Sequence, residues 1–314
     1  MSNYESVLAG IQSKLKKKSS KTARMLSDGP SSEIREVIPT GIMPVDNYVI
    51  GCGGLPVGRI TELYSEEGGG KSSLMLQCCA SVQAQGGLAV IVETEDALDT
   101  ERAETFGVDL SKVILLEPDH LEEALDMLDA TLTSMKDVQG PVLVAWDSLA
   151  ATPTKAELTD GLVGGEVVAG RARLMGRACR SLGTLVNDNN VALLVINQTR
   201  TKMGVLFGNN TTTPGGKGMK FLASLRLQIM GGKAVKNEHG EHTAKDVTVL
   251  ATKNRMAPPY RKCRVRLNFA EGFDNQWSVL DHAKERGIIK PRSRGEKAYN
   301  EAIEQLGWVS KDAE

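Results

Sequence analysis

The sequence predicts a doubly wound α/β fold built around a mostly parallel β-sheet. Short apolar runs rich in β-branched residues alternate along the chain with longer segments whose apolar residues recur at helical spacing. Few of the short runs alternate apolar with polar residues, which is typical of strands that are buried on both faces. The 314 residues, of which 41% are hydrophobic and 25% charged, suffice for one large core and exclude the disordered and fibrous classes.

Net charge and cysteine content narrow the function classes. The formal net charge is −1, so binding of a polyanion would need a local basic surface. The five cysteines show no C-x-x-C spacing, which favours reduced thiols and a cytoplasmic location. No apolar run approaches the roughly twenty residues that cross a bilayer, so we expect no membrane partner.

Residues 1–35 are predicted to form a helical arm followed by a linker. Val7, Ile11 and Leu15 recur at helical spacing, and the segment 27–32 contains the glycine and proline of a linker. A helix with one thin apolar stripe buries little surface by itself. The arm therefore either docks on another protein surface, as in oligomerisation, or frays as a solvated tail.

A phosphate-binding loop is predicted between Thr61 and Leu74, where the chain reads T-E-L-Y-S-E-E-G-G-G-K-S-S-L. The order is an apolar strand, a triple glycine and an apolar helix, although Ser65 stands where the usual pattern has its first glycine. Backbone N–H groups of such a loop turn toward phosphate oxygens, Lys71 reaches the terminal phosphates, and Ser72 can ligate Mg²⁺. The alternative is a flexible surface turn. The nucleotide-binding residues predicted here are Glu67, Gly68, Gly69, Gly70, Lys71, Ser72 and Ser73.

Carboxylates follow two later apolar runs. The run Leu88–Val92 leads to Glu95, and the run Pro141–Trp146 ends at Asp147. The carboxyl ends of parallel strands face the ligand crevice, so we expect Glu95 to polarise the attacking water and Asp147 to hold Mg²⁺ with Ser72. The alternatives are a solvated acidic loop and a strand-capping aspartate.

Two further segments suggest a switch and a nucleic-acid surface. The run Val191–Ile196 is followed by Gln198, whose amide can hydrogen-bond a γ-phosphate, and then by a segment, 201–218, without helical or strand period. Earlier, a segment rich in glycine and valine precedes a helix on which Arg173, Arg177 and Arg180 share one face. That stripe suits phosphate contacts on nucleic acid or is simply a solvated helix face.

Together with T-G-I-M-P-V-D at 40–46 and G-C-G-G-L-P-V-G-R-I at 51–60, these motifs resemble the ATPase core of the bacterial RecA recombinase family. The resemblance covers about Val37 to Gly272. It implies an ATP- and Mg²⁺-dependent recombinase, bacterial or phage-encoded, that forms a helical filament on single-stranded DNA and exchanges strands with homologous duplex DNA. DNA-stimulated ATP hydrolysis, ATP at the protomer interfaces and a part in DNA repair and the SOS response would follow.

The resemblance also assigns residues. It makes Lys71, Glu95 and Gln198 the catalytic set and puts Asp99 near the adenine, with Arg102 in place of a stacking aromatic. In K-N-R-M-A-P-P, at 253–259, two basic residues, Lys253 and Arg255, would reach the nucleotide of the neighbouring protomer. The implied DNA-binding residues lie in or beside loops at about 157–172 and 199–218, and are Arg171, Arg173, Gly176, Arg180, Arg200, Lys202, Phe207, Gly215, Gly216 and Lys217.

The remaining runs complete the predicted architecture of an arm (1–35), a core (36–272) and a small basic C-terminal subdomain (273–314). Strands are predicted at Phe221–Ile229, Val247–Thr252 and Cys263–Phe269. Two other function classes stay open. One is a hexameric motor or regulatory ATPase with the same core, and the other is a non-catalytic, ATP-gated protein that coats single-stranded DNA.

Overall fold

The structure is a computed structural model that describes residues 3–15, 23, 25, 27, 34, 36–159, 167–201, 211–214 and 216–308. The chain divides into two compact units, 1–35 and 36–314. In the first unit, helix α1 spans Asn3–Leu15, and Val7 and Ile11 on it are exposed. Among the described residues, no helix is both long enough and apolar enough to cross a membrane.

The second unit contains the remaining described elements. Its helices are α2 (Lys71–Ala84), α3 (Thr100–Thr105), α4 (Leu121–Ser134), α5 (Lys155–Thr159), α6 (Val167–Asp188), α7 (Gly216–Leu222), α8 (Asn275–Glu285) and α9 (Gly295–Leu306). Its strands are β1 (Val37–Ile38), β2 (Leu55–Pro56), β3 (Ile60–Ser65), β4 (Leu88–Glu93), β5 (Val113–Leu116), β6 (Val142–Asp147), β7 (Val191–Gln198), β8 (Arg200–Thr201), β9 (Thr211–Thr212), β10 (Leu225–Lys236), β11 (His242–Asn254), β12 (Lys262–Asn268) and β13 (Gly272–Asp274).

Nine of these strands form one sheet in the order β13-β12-β11-β10-β3-β7-β6-β4-β5. The strands from β10 to β5 are parallel to their neighbours, and the pairs that join β10, β11, β12 and β13 are antiparallel. The predicted α/β fold with a mostly parallel sheet is therefore confirmed. Strand β3, which carries the candidate phosphate loop, lies between β10 and β7.

Burial on both faces explains why the central strands read as continuous apolar runs. In β4, Ala89 and Ile91 belong to the core cluster that includes α2, whereas Val90 and Val92 belong to the cluster that includes α4 and α6. Successive side chains of a strand point to opposite faces, so both faces require apolar residues. In β4, β6 and β7 the polar side chains accordingly stand at the carboxyl end of the strand.

The structure corrects the sequence-based expectations at three places. The strand predicted at Phe221–Ile229 is wrong at its start, because Phe221 and Leu222 end helix α7 and the strand begins at Leu225. The same helix begins at Gly216, so the prediction of a segment without regular structure up to Gly218 is wrong there. Glycines around 216–218 masked its helical signal, although Met219 and Ala223 are buried at a spacing of four. Within the motif at 40–46, whose glycine and proline predict turns, Pro44 instead begins a π-helical segment that extends to Ile50.

The C-terminal helices pack in a core cluster of their own, which contains Val279, Ala283, Ile289, Ala302 and Ile303. Strand β13, directly before them, is the edge strand of the main sheet. The division of residues 273–314 into a separate subdomain stays a prediction.

Tight glycine geometry sets the chain path into β3. Gly53 has φ of 93° and Gly54 has φ of 152°, backbone conformations that other residues rarely adopt. Gly54 also packs directly on the preceding strand, because a Cβ atom at this position would lie 2.4 Å from the Ile38 carbonyl oxygen. The pairing of β1 with β2 therefore depends on the absence of a side chain at 54.

We expect Gly54→Ala to destabilise the fold more than Gly53→Ala. At Gly53 an added Cβ meets only Val37 Cγ2, at 3.6 Å, so its cost is the backbone strain of about 1 kcal/mol. At Gly54 the clash with backbone adds to the strain, for a total of about 2 to 4 kcal/mol. Urea unfolding of the two variants measures the difference. Equal losses would contradict the close approach of Gly54 to β1.

Candidate nucleotide-binding site

The loop between β3 and α2 has the geometry of an anion-binding turn. Gly68 and Gly70 have positive φ, of 65° and 92°, and a Cβ atom on Gly70 would lie 2.8 Å from Leu267 Cδ2. Gly70 caps α2 without a side-chain hydrogen bond. The N–H groups of the first helical turn, which have no partner within the helix, are therefore left for a ligand, and the helix dipole favours an anion there.

This loop forms one wall of a cavity of about 520 Å³. The cavity brings together most of the predicted nucleotide-binding residues with the predicted catalytic carboxylate Glu95. Its lining consists of Gly68, Gly69, Gly70, Lys71, Ser72, Ser73, Met75, Leu76, Glu93, Glu95, Ala97, Leu98, Asp99, Arg102, Asp147, Leu267 and Phe269. Glu67, Gln198, Lys253 and Arg255 do not line it.

Lys71 is held at the base of the loop. Its Nζ donates hydrogen bonds to Ser65 Oγ and to the Glu66 carbonyl oxygen, both at 3.1 Å. Burial lowers the pKa of Lys71, while the negative charges of Asp147, Glu95 and Glu67 raise it. Ser65, the residue that departs from the usual loop pattern, is thus a direct partner of the predicted phosphate-binding lysine.

Ser72 and Asp147 meet across the cavity. Ser72 Oγ donates a hydrogen bond of 2.7 Å to Asp147 Oδ2. Asp147 ends β6 opposite Glu93 of β4. The pKa of Asp147 is raised to about 6, chiefly by burial and also by the charges of Glu95 and Glu93, against the lowering effects of the Ser72 hydrogen bond and of Lys71. A cation bound beside this carboxylate would therefore stabilise its ionised form.

The donor set fits Mg²⁺. A serine hydroxyl and one carboxylate offer two oxygen ligands on adjacent elements, and Mg²⁺ typically binds through one or two carboxylates plus substrate phosphates and water. Across the described ranges, no group of three or more His, Cys, Asp or Glu side chains is arranged to hold a metal by itself. Ser72 and Asp147 would hold the ion together with the phosphates of a nucleotide.

Glu95 lies at the mouth of the cavity and is exposed. Its Oε1 atom accepts hydrogen bonds from Ser148 Oγ and, at 3.4 Å, from Gln198 Nε2. The structure thus brings two predicted catalytic residues, 103 positions apart in the sequence, into contact. Sequence reasoning missed Ser148, because nothing in the D-S dipeptide indicates which carboxylate the hydroxyl contacts.

The far end of the cavity offers flat surfaces for a base. Asp99 caps α3 by accepting a hydrogen bond of 3.0 Å from Arg102 N. Arg102 Nη2 donates to Ser73 Oγ at 2.9 Å, and its guanidinium carbon lies 5.2 Å from the ring centroid of Phe106. Phe269 lines the same cavity. Sequence reasoning missed Phe269, since no local pattern indicates that the end of β12 reaches the phosphate loop.

Lys253 and Arg255 lie away from this cavity, beside the start of β3, whereas the phosphate loop follows its end. Lys253 pairs with Arg226, which in turn pairs with Glu62 of β3. Lys253 Nζ donates to the carbonyl oxygens of Lys220, at 2.8 Å, and Phe221, at 2.9 Å. Burial and the neighbouring arginines lower the pKa of Lys253.

The predicted DNA-binding residues are partly described. On α6, Arg173 and Arg180 are exposed, whereas Arg171 donates to Glu157 Oε2 at 2.9 Å and to the Ala150 carbonyl oxygen at 3.1 Å. Gly176 lies where α6 closely approaches Gly218 of α7. Lys202, Phe207 and Gly215 lie outside the described residues. Arg200, Gly216 and Lys217 are described only as parts of β8 and α7.

Comparison with known proteins gives a consistent match. The model of the family described as RecA N-terminal domain matches residues 6–274. The protein named Protein RecA from Lactococcus lactis subsp. cremoris is 37% identical over 281 residues, which cover 88% of this chain and 70% of that protein. Protein RecA from Mesomycoplasma hyopneumoniae strain J is 36% identical over 288 residues, or 91% of this chain and 83% of that protein.

We expect Asp147→Asn to stabilise the protein without nucleotide and in EDTA. The pKa of Asp147 is about 6 in the folded chain, against an ordinary value of 3.8, so ionisation above pH 6 weakens the folded state and protonation restores it. The variant should gain roughly 1 to 3 kcal/mol at pH 8 and progressively less toward pH 4. Urea unfolding across this range measures it, with the exposed Asp126→Asn as control. A gain independent of pH would contradict the burial argument.

Proposed function

Because the chain belongs to the RecA family, we propose that it is a DNA-dependent ATPase that forms a helical filament on single-stranded DNA and exchanges strands with homologous duplex DNA. The observation that carries the proposal is the contact between Glu95 and Gln198. It joins the carboxylate at the mouth of the cavity to the last residue of β7, directly before the segment proposed as the second DNA-binding loop. Binding of a ligand in the cavity can therefore change the position of that segment through Glu95 and Gln198.

Nucleotide binding uses the phosphate loop and the start of α2. The free N–H groups of the first turn and Lys71 bind the β- and γ-phosphates. Lys71 exchanges its hydrogen bonds to Ser65 and Glu66 for phosphate oxygens. Mg²⁺, when bound, neutralises charge that develops on the phosphates. Ser72 and Asp147 would hold this ion through their side-chain oxygen atoms.

Hydrolysis needs a group that positions water opposite the leaving phosphate. Glu95 takes this role, and the Ser148 hydroxyl keeps its carboxylate in place. The Gln198 amide has two alternative partners, Glu95 Oε1 and a γ-phosphate oxygen. When it donates to the phosphate it leaves Glu95 free for water, so nucleotide binding and the position of the end of β7 change together.

DNA contacts are proposed for α6 and the two loops. The exposed guanidinium groups of Arg173 and Arg180 can neutralise phosphates, and binding of this kind falls steeply with salt. Arg171 has two intrachain partners, so it joins α6 to Glu157 of α5 and contributes less to DNA affinity. We expect binding to depend little on the DNA sequence, because phosphate contacts do not distinguish one base from another.

Oligomerisation completes the proposed enzyme. Lys253 and Arg255 do not line the cavity of their own chain and can act on a nucleotide only in a second copy. Supply of a cation in trans is a known way to stabilise the transition state of phosphoryl transfer. Hydrolysis then depends on assembly of the protomers. The cytoplasmic location expected from the cysteines would give the protein access to DNA.

We expect long single-stranded DNA to raise phosphate release from ATP at least about tenfold. Lys71→Ala should abolish turnover because the terminal phosphates lose their cation, and Glu95→Gln should lower it by about 10² to 10⁴ because a neutral amide cannot polarise water. Phosphate release with and without DNA measures these effects, and nucleotide binding by Glu95→Gln shows that its cavity is intact.

Two outcomes would point to the other function classes. Turnover that ignores DNA, with a closed ring under the electron microscope, would favour a hexameric motor or regulator. A non-catalytic coat would be favoured if the protein coats DNA normally and Glu95→Gln releases phosphate like the wild type. Ser65 and Arg102, which depart from the usual motifs, are the residues that favour this alternative. An open helical filament with DNA-stimulated turnover supports the proposal.

We expect Arg102→Ala to weaken ATP binding about five- to tenfold, because the base loses a flat surface at the end of the cavity. Stacking on a side chain contributes about 1 to 3 kcal/mol per base. Arg102→Tyr should recover most of the affinity, whereas Arg102→Lys, which retains the charge without the plane, should not. Titration with a fluorescent ATP analogue measures all three. Recovery by lysine and not by tyrosine would identify a charge contact instead.

A further inference from the structure

A buried polar cluster lies behind Gln198, on the opposite face of the sheet. It consists of Glu62, Asn197, Arg226, Thr213 and Pro214, and we refer to it as the Glu62 cluster. Glu62 and Asn197 are both 0% exposed. Asn197 and Gln198 are successive residues of β7, so their side chains point to opposite faces. Gln198 contacts Glu95 on one face, and Asn197 belongs to the cluster on the other.

Hydrogen bonds connect the members of the cluster, and two of them end on the carboxylate of Glu62. Asn197 Nδ2 donates to Glu62 Oε1 and to the Pro214 carbonyl oxygen, both at 3.0 Å. Arg226 Nε donates to Glu62 Oε2, and Arg226 Nη2 donates to Thr213 Oγ1 at 3.4 Å. Both carboxylate oxygens of Glu62 are thereby satisfied. The carboxylate is fixed on β3, the strand that leads to the phosphate loop.

A buried ion pair is a weak source of stability, because the cost of removing two charges from water offsets their attraction. Arg226 is additionally stacked on Tyr64, with its guanidinium carbon 4.7 Å from the ring centroid. Tyr64 in turn shares a hydrogen bond of 2.8 Å with Thr252. The ion pair by itself therefore gives little reason for a charged residue inside β3, whereas the contacts that the cluster makes to the returning chain give one.

What the cluster holds is the return of the chain after the proposed DNA-binding segment. The chain leaves the sheet after Gln198, β8 pairs with β9, and Thr213 and Pro214 follow directly. The departure contacts Glu95 through Gln198. The return contacts Asn197 through the Pro214 carbonyl oxygen and Arg226 through the Thr213 hydroxyl. One dipeptide of β7 therefore contacts Glu95, which lines the nucleotide cavity, with one side chain and the returning chain with the other.

We propose that Asn197, Glu62 and Arg226 are positioning residues that clamp the return of segment 199–214 to the strand end that carries Gln198. The inference rests on the proposed function, since it concerns how the nucleotide cavity controls that segment. A displacement of Gln198 toward a γ-phosphate shifts Asn197 through their shared peptide unit. Asn197 then pulls on the Pro214 carbonyl against the fixed Glu62, so both ends of the segment respond together.

Hydrogen exchange tests the clamp without DNA. Peptides covering residues 199–214 are followed by mass spectrometry with and without Mg²⁺ and a non-hydrolysable ATP analogue. In the wild type, nucleotide should change their exchange rate at least about fivefold, the lower range of measured allosteric couplings. Asn197→Ala should reduce this change to less than about twofold while its affinity for the analogue stays within about twofold of the wild type. Glu62→Gln, which preserves shape, should reduce it in the same direction.

Tyr64→Phe is the matched control, because it removes the hydrogen bond to Thr252 and leaves every contact to Thr213 and Pro214. It should keep the full response. If the cluster is purely structural, all three variants will have a lower unfolding midpoint and an intact response to nucleotide, which would overturn the clamp. A wild type whose exchange does not respond to nucleotide would also overturn it. A wild type that responds to nucleotide while its ATP turnover ignores DNA would refute the proposed function and leave the clamp standing.

Discussion

Burial of the central strands on both faces is the constraint on which the rest of the structure depends. Strands β3, β4, β6 and β7 lie between two apolar layers, so polar side chains are concentrated where these strands end. Because the strands are parallel, those ends meet at one edge of the sheet. Asp147 and Gln198 end β6 and β7, Lys71 and Glu95 follow β3 and β4, and all four still converge there. The site is thus a consequence of the sheet topology and of no single segment.

Convergence has an electrostatic cost that a nucleotide can relieve. Glu93, Glu95 and Asp147 approach one another around a single ammonium group, Lys71, and the two glutamates raise the pKa of the aspartate. Desolvation acts in the same direction and lowers the pKa of the lysine. A cation with its bound phosphates supplies opposite charges to both kinds of group. Shifted pKa values of this kind, caused by burial together with specific charged neighbours, are typical of functional sites.

The limits of sequence reasoning follow from the same geometry. The positions of the central strands along the chain and the residues at each strand end were predictable, because they depend on local patterns and on the rule for parallel sheets. Ser148 and Phe269 were not, since a contact between distant segments leaves no local signal. Helix α7 was missed because its glycines hid a helical spacing. The role of Glu62 could not be predicted either, because the partners of this charged residue in an apolar strand lie far away in the sequence.

The period of two along a β-strand gives this fold a means of connecting its two layers. Asn197 and Gln198 are joined by one peptide bond, and their side chains enter opposite faces. A contact made by one therefore displaces the other without any chain of intermediate packing, which is the usual difficulty in arguing for communication between sites. The buried Glu62 supplies the fixed reference against which such a displacement acts. An apolar residue at 62 could pack as well, but it could not hold both the asparagine and the arginine.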